Sequence, residues 1–457
     1  MKKALAAVFI VALVSAAIFF GVFRGLFWRP MGERLFPQDT VLYISLDNIE
    51  RAQKNLEKTT VWKQLSNSPR RDKYQKLIQR AFSSFESASG FDLRPVLDQF
   101  NGEVSVGLFP LPEGEGSAGL VANVKDDNKF REFLEQHLDP AVKRRFPEIK
   151  KSQYSHEGTS YYKYSSPKFT HQASPCYYIS GHHFVFTINE NGMRHLLEVD
   201  KGKFKNLRES DVFHTARKQS GYRRGVLAYI NVPAGLQLLQ KNLPATASRY
   251  WAGMLSLTGI QAVRGFVYTS RVEGDGFAES GFLEVNRERS GFVKIYMEQN
   301  PQKMESLQYI PNSVKMVSAS TLPDFIKAWD GLNSQLGTIL DKQQYQQYQQ
   351  GLALLRGILN FDIKRDVMET VGDEMAFSYE PGSSKAPLNV NFLLVVNMKN
   401  PDTFRITISR FAAMAAARGI SKQEVNYKNR TLQVFDFKVP NSSLSPSYSF
   451  DDKWFLF

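Results

Sequence analysis

The residues with most capacity for chemistry are few. All seven histidines, His137, His156, His171, His182, His183, His195 and His214, precede residue 215, and His182, His183 and His195 are the set whose imidazoles would ligate a metal. His182 and His183 stand between two apolar strand halves, set against Asp452 and Lys453 of a later segment, the expected place of hairpin turn residues. No metal is expected there. Cys176 is the single cysteine, so a disulfide framework and a multi-cysteine zinc or iron–sulfur site are excluded. To act as a nucleophile it would need a nearby base and a lowered pKa. It stands instead beside a strand, aligned with Ser447, and reads as a buried or edge thiol. Ser165 and Lys168 have Ser-x-x-Lys spacing, but that chemistry needs a helical turn and Pro167 interrupts one. No catalytic group and no cofactor are expected.

A basic cluster is the remaining functional signal. Lys143, Arg144, Arg145, Lys150 and Lys151 precede Tyr154, Tyr161, Tyr162 and Tyr164, and Arg70, Arg71, Lys73, Lys76 and Arg80 add to the field. Of the net charge of +13, residues 310–457 carry little, with 16 Lys and Arg against 14 Asp and Glu. Such a surface suits anionic lipid or an acidic envelope polymer. The plain alternative is that these charges solvate a helix end and guard a sheet edge. Nucleic acid is not expected as a partner.

The elements that would carry these residues come in two copies. Phe36-Pro37 opens a strand, as Ile310-Pro311 does later; Phe91-Asp92-Leu93-Arg94 matches Phe361-Asp362-Ile363-Lys364; and Gly102-Glu103 is set against Gly372-Asp373. VANVKDDNKF from Val121 matches VVNMKNPDTF from Val395, and SPCYYISGHHFVF from Ser174 matches SPSYSFDDKWFLF from Ser445, both without gaps. Shared polar residues have structural roles: Asp126 and Asn400, with Asp92 and Asp362, are predicted helix N-caps, with Phe91 placed to staple onto Val96. Between them Tyr74, Leu77, Ile78, Ala81, Phe82 and Phe85 have helical spacing, matched near Tyr345–Leu359. Alternating runs such as GEVSVGLF and GLVANV, and VYTSRV and FAESGF around Gly-Asp-Gly, predict antiparallel hairpins. No Gly-rich phosphate loop joins a strand to a helix, which disfavours a doubly wound nucleotide fold.

Ahead of the modules, residues 4–23 carry no charge after Lys2 and Lys3, and twenty residues of helix span about 30 Å, a bilayer core. An uncleaved transmembrane helix is therefore expected, with cleavage near Val14-Ser15-Ala16 as the rival. The predicted fold class is α+β: a transmembrane helix, then a duplicated module of antiparallel sheet packed with helices. The divisions are 1–35 (anchor and juxtamembrane segment), 36–300 (first module), 301–309 (linker) and 310–457 (incomplete second copy matching 36–186). With its opening FPQDTVLYISLDNIE, its FD and GDE steps and its duplicated strand–helix pattern, the chain resembles a family of bacterial envelope proteins known as a conserved domain of unknown function. That resemblance implies no reaction and no site residues. The expectation is a single-pass inner-membrane protein, its bulk in the periplasm or otherwise outside the cytoplasm, serving as a non-enzymatic binding or structural module. The alternative is a membrane-tethered hydrolase.

Overall fold

The computed structural model describes residues 31–60, 62, 63, 80, 83, 94–169, 173–222, 224–300, 302–314, 316–381, 390–428, 430–439 and 442–457. The apolar segment 4–23, most of the helix expected over 74–85, and Phe91 with Asp92 lie outside the described residues. The expected fold class needs correction in its first term: among the described residues no helix is long and apolar enough to cross a membrane. What stands is an α+β protein with two antiparallel sheets. Two compact units divide it, one formed by residues up to Leu243 with Val263–Arg287, the other by Pro244–Ala262 with Glu288–Phe457.

In the first unit the elements run α1 (Gly32–Leu35), β1 (Leu42–Leu46), α2 (Ile49–Lys58), α3 (Arg94–Leu97), β2 (Phe100–Pro110), β3 (Gly116–Val124), α4 (Asp127–Phe133), α5 (Asp139–Arg145), β4 (Lys150–His156), β5 (Thr159–Ser165), β6 (Cys176–Ser180) and β7 (His183–Thr187). There follow α6 (Glu190–Asp200), α7 (Asp211–Gln219), β8 (Val226–Asn231), α8 (Val232–Asn242), β9 (Val263–Glu273) and β10 (Gly276–Val285). The ten strands lie in the order β10-β9-β8-β1-β2-β3-β7-β6-β5-β4. Because successive side chains alternate between faces, the strands feed two cores: Tyr43, Phe109, Val121, Val185 and Tyr229 build one, while Leu46, Val104, Ala122, Phe130 and Phe184 build the other. Residues 31–35, assigned from sequence to the juxtamembrane segment, belong to this unit: Leu35 and Phe36 are fully buried in the first core.

The second unit comprises α9 (Ala245–Thr258), α10 (Gly291–Met297), β11 (Met316–Thr321), α11 (Phe325–Ile339), α12 (Lys342–Leu359), β12 (Val371–Pro381), β13 (Val390–Met398), α13 (Pro401–Ala417), β14 (Ser421–Tyr427), β15 (Arg430–Val439), β16 (Ser442–Leu444), β17 (Ser447–Asp451) and β18 (Trp454–Leu456). Its sheet runs β11-β12-β13-β18-β17-β15-β14. That is the plan of β1-β2-β3-β7-β6-β5-β4, element for element. The segments from Val121 and from Val395 occupy the same position, and the strands carrying Phe186 and Phe455 pair alike with their neighbours.

One alignment read from sequence shifts by one residue, and the setting of His182 and His183 against Asp452 and Lys453 gives way to the ungapped match itself. Val104 pairs with Ala122 and Met375 with Val396, each after an irregularity in the ladder, which matches Glu103 with Glu374 rather than with Asp373. The irregularity is the same in both ladders, so setting glycine on glycine, and not a difference between the copies, misplaced the acidic residues. In the β6–β7 hairpin Ser180 pairs with His183, as Asp451 pairs with Trp454; His183 therefore corresponds to Trp454, and His182 to Lys453. Gly181 and His182 form the turn with φ of 58° and 64°, the left-handed pair that a two-residue hairpin requires.

Of the predicted caps, those at Asp126, Asn400 and Asp362 are present, and Asp92 lies outside the described residues. Asp126 accepts the N–H of Asn128 at 2.9 Å and of Lys129 at 3.0 Å, and Asn400 accepts that of Thr403 at 3.1 Å with Pro401 at the first helical position. Asp362 accepts from Lys364 at 2.9 Å and Arg365 at 3.2 Å. After the caps the copies diverge. Helix α13 is continuous, whereas its counterpart is α4, a π-helical turn over Leu134–Leu138, and α5. Pro140 supplies the reason, since it has no N–H to give to the preceding turn. Replacing Asp126 with Ala should lower stability by about 1 kcal/mol, and Asn400→Ala by a similar amount. Urea denaturation of the full chain reads both, and unchanged midpoints would remove the caps from the account.

Candidate functional site

Burial gathers one polar cluster that sequence reasoning missed. Glu103, on β2, accepts the backbone N–H groups of Met31 and Gly32, the latter at 3.1 Å, and the Tyr43 hydroxyl at 3.2 Å. Burial lifts its pKa to about 7, opposed by the Met31 N–H and assisted by the nearby Glu33 charge. Glu33 is itself buried, is held by the Arg217 guanidinium at 2.5 Å, and has Arg208 at 3.9 Å. The cluster holds α1 in place. In the second unit Glu374 likewise accepts the N–H of Ser306 at 2.5 Å, in the short helix Glu305–Tyr309 before the first strand. A glutamate repeated in this role in both units is a fastening of the fold, and neither Glu33 nor Glu103 lines the cleft described next.

That cleft lies in the first unit, where β1 gives way to α2. The Asn48 side chain accepts the N–H of Arg51 at 2.8 Å, capping α2. The cap sets the helical phase so that Arg51 and Asn55, one turn apart, project on one side. Asp47 accepts the N–H of Gly225 at 3.0 Å and returns its own N–H to the Gly225 carbonyl at 3.2 Å, tying this step to the entry of β8. Gly225 has φ of 101°, and a Cβ there would sit 2.3 Å from the Ser270 carbonyl oxygen, so the close approach requires glycine. The third wall is the β9–β10 hairpin, contributing Ser270, Arg271, Val272 and Phe277. The cleft has a volume of about 720 Å³, with Leu46, Ala52 and Val226 completing the apolar lining.

Charge at the cleft is one-sided. Arg51, Arg224 and Arg271 line it, and Asp47 is the single carboxylate among the lining residues. Burial lowers the pKa of the Arg51 guanidinium, the Arg224 charge lowers it further, and Asp47 opposes both. Burial likewise raises the Asp47 carboxyl, against the pull of the Gly225 N–H and the two arginines. Arg51 meets Asp47 at 3.8 Å, and Arg271 meets Glu273 at 2.7 Å. With the Arg224 charge close enough to disfavour that of Arg51 beside an open volume, the cleft is a place where an anion is stabilised.

The residues singled out from sequence are dispersed. Lys143 and Arg144 are exposed on α5, which ends at Arg145. Lys150 is exposed at the start of β4, an edge strand. Lys151 points inward instead, bonded to Asp139 at 2.6 Å with its ammonium over the Tyr162 and Tyr177 rings. The three histidines have separate surroundings: His182 is an exposed turn residue, His183 meets Asn123 at 3.1 Å, and His195 is buried beside Phe109 and Phe204. Among the described residues no group of three or more His, Cys, Asp or Glu is arranged to hold a metal. Cys176 is fully buried with its thiol on the Ser174 carbonyl, and burial, helped by the Glu190 charge, pushes its pKa to about 12. That setting disfavours the thiolate on which nucleophilic chemistry depends. Ser165 ends β5 and Lys168 lies in the turn beyond, without a helix between them.

Fold and cleft together define an α+β protein with a strand plan used twice and a basic cleft in the first unit. The chain belongs to the family described as "Protein of unknown function (DUF3352)", which matches residues 32–244 and again 115–456, overlapping as a repeated module would. No curated protein and no solved structure matches it.

Proposed function

We propose that the chain is a non-enzymatic binding protein whose first unit holds an anionic group in the cleft between α2, the entry of β8 and the β9–β10 hairpin. The convergence of Arg51, Arg224 and Arg271 on one cleft carries this reading. Guanidiniums present planar sets of donors suited to carboxylate and phosphate oxygens. A partner with such groups, an anionic lipid or an acidic polymer, is the class the cleft fits. The hydrolase alternative finds less support: Cys176 is buried with a raised pKa, and Glu103 is engaged by backbone N–H groups. The second unit has Thr321 in register with Asp47 on its first strand, so the reading is confined to the first.

Calorimetric titration of the full chain with inorganic phosphate at low salt tests the reading. Binding should weaken about tenfold for Arg224→Gln and by more than that for Arg224→Gln combined with Arg271→Gln, since each removes charge-assisted hydrogen bonds. Added salt should weaken wild-type binding, as expected for a partly open site. Absence of a phosphate heat from the wild type, or identical affinity in the double variant, would overturn the reading.

A further inference from the structure

The lining of the cleft is more specific than a demand for negative charge. Val272 and Phe277 are directly opposite each other in the β9–β10 ladder, so both side chains project from the same face. Phe277 is 46% exposed there, and Leu46 and Val226 continue the apolar surface from β1 and β8. A bare oxyanion would occupy a small part of a cleft of about 720 Å³ and leave Phe277, with the partly exposed Val226 and Val272, wet. Volumes of this size take whole small molecules, with apolar walls supplying most of the contact and a few polar groups fixing orientation.

We infer that the cleft takes a single-chain anionic amphiphile, an alkyl or acyl chain ending in a phosphate or carboxylate, with the head on Arg51, Arg224 and Arg271 and the chain along Leu46, Val226, Val272 and Phe277; this rests on the cleft being an anion site. The placement of the walls decides for an amphiphile over a nucleotide. Three of the four apolar residues named are aliphatic, giving a chain a surface to follow. Asn55 and Ser270 are the uncharged polar side chains available to read a base edge.

The test is a series of alkyl phosphates from methyl to octyl, each below its micelle concentration, titrated into the full chain beside inorganic phosphate, octyl glucoside and adenosine monophosphate. Affinity should rise about three- to fourfold for each methylene buried, the factor set by transfer of a CH₂ group from water, and level off when the cleft is full. Octyl glucoside, with the same chain and no charge, should bind at least tenfold more weakly than octyl phosphate. Phe277→Asn, on an exposed edge position, should flatten the chain-length series, while Arg224→Gln should lower every member by a similar factor. A series flat in chain length, with phosphate still bound in an Arg224-dependent way, would overturn the amphiphile and leave the anion site standing. Loss of all phosphate-type binding would overturn both. Adenosine monophosphate binding more tightly than octyl phosphate would overturn the amphiphile in favour of a nucleotide.

Discussion

Replacing Arg217 with Met should destabilise the first unit by about 3 kcal/mol, because it leaves the buried Glu33 carboxylate without its nearer guanidinium, itself about a third exposed. Glu33 is 1% exposed, and Arg217 reaches its carboxylate at 2.5 Å from α7. Burial already raises the pKa of Glu33, and the first influence holding it down is the Arg217 charge. Without that charge the carboxylate either stays ionised in a poor solvent or takes a proton at neutral pH, and both outcomes weaken the native state. The guanidinium also lies over the Tyr222 ring, 5.2 Å from its centre, and methionine cannot reproduce that cation–π attraction. Urea denaturation followed by circular dichroism, resolved into the transitions of the two units, gives the measurement. The double variant Glu33→Gln with Arg217→Met should recover most of the loss, because the stranded charge goes with its partner. Arg208→Met, removing the more distant guanidinium at 3.9 Å, should cost much less. Equal losses for Arg208 and Arg217 would show that the pair is not what holds α1.

What could be read from the sequence was what local chemistry encodes. The caps at Asp126, Asn400 and Asp362 depend on residues within three positions, and the hairpin at Gly274-Asp275 on its turn residues, so they were legible, whereas the β6–β7 turn, expected at His182 and His183, falls one residue earlier at Gly181 and His182. So was the duplication, because ungapped segments such as Val121–Phe130 and Val395–Phe404 keep the alternation that register demands. The cleft was not. Its arginines sit at 51, 224 and 271, on a helix, a loop and a hairpin that only the sheet order β9-β8-β1 brings together. Nothing near Arg224 in sequence marks it off from the other arginines. The basic cluster divides for a related reason: strand alternation sends Lys150 outward and Lys151 onto tyrosine rings, a division invisible until β4 is recognised as a strand. The buried glutamates were missed because Gly102-Glu103 reads only as a marker of the repeat, set against Gly372-Asp373 at the entry of a strand. Only the bulge in β2 shows that Glu103 and Glu374 face the same way.

Between pH 4.5 and 7 the first unit should lose stability as pH rises, by up to about 3 kcal/mol. The source is Glu103, whose ordinary pKa of 4.5 rises to about 7 in the fold through burial. In that window the native protein holds a proton that the unfolded chain has released. Folding therefore takes up a proton, and each step up in pH disfavours the native state. The contribution is fully present below pH 4.5 and gone once pH exceeds about 7, and the gap between the two pKa values corresponds to the figure given, at about 1.4 kcal/mol for each. The groups facing Glu103 push the same way or are neutral in this range: Glu33 is raised as well, Tyr43 is raised and stays protonated, and the Met31 and Gly32 amides do not titrate. Glu190 opposes, held near 2 by Lys163, Tyr161 and Arg194 despite the cost of burial, but its stabilising contribution is lost only as pH falls below its ordinary value of 4.5. Burial also lowers the pKa of His183 and His195 from 6.5, which opposes the slope because there the unfolded chain holds the extra proton, and raises that of Asp39 and Asp47, which adds to it; the Glu103 share is the difference between wild type and Glu103→Gln. Glu103→Gln keeps an oxygen for the Met31 and Gly32 amides and carries no charge, so it should flatten that slope and leave the protein at least as stable as the wild type at pH 8. Denaturant midpoints of both proteins at pH 5, 6, 7 and 8 make the comparison, with Glu374→Gln as the equivalent change in the second unit. A wild-type slope that survives Glu103→Gln would place the titrating group elsewhere and deny Glu103 its role as the protonated anchor of α1.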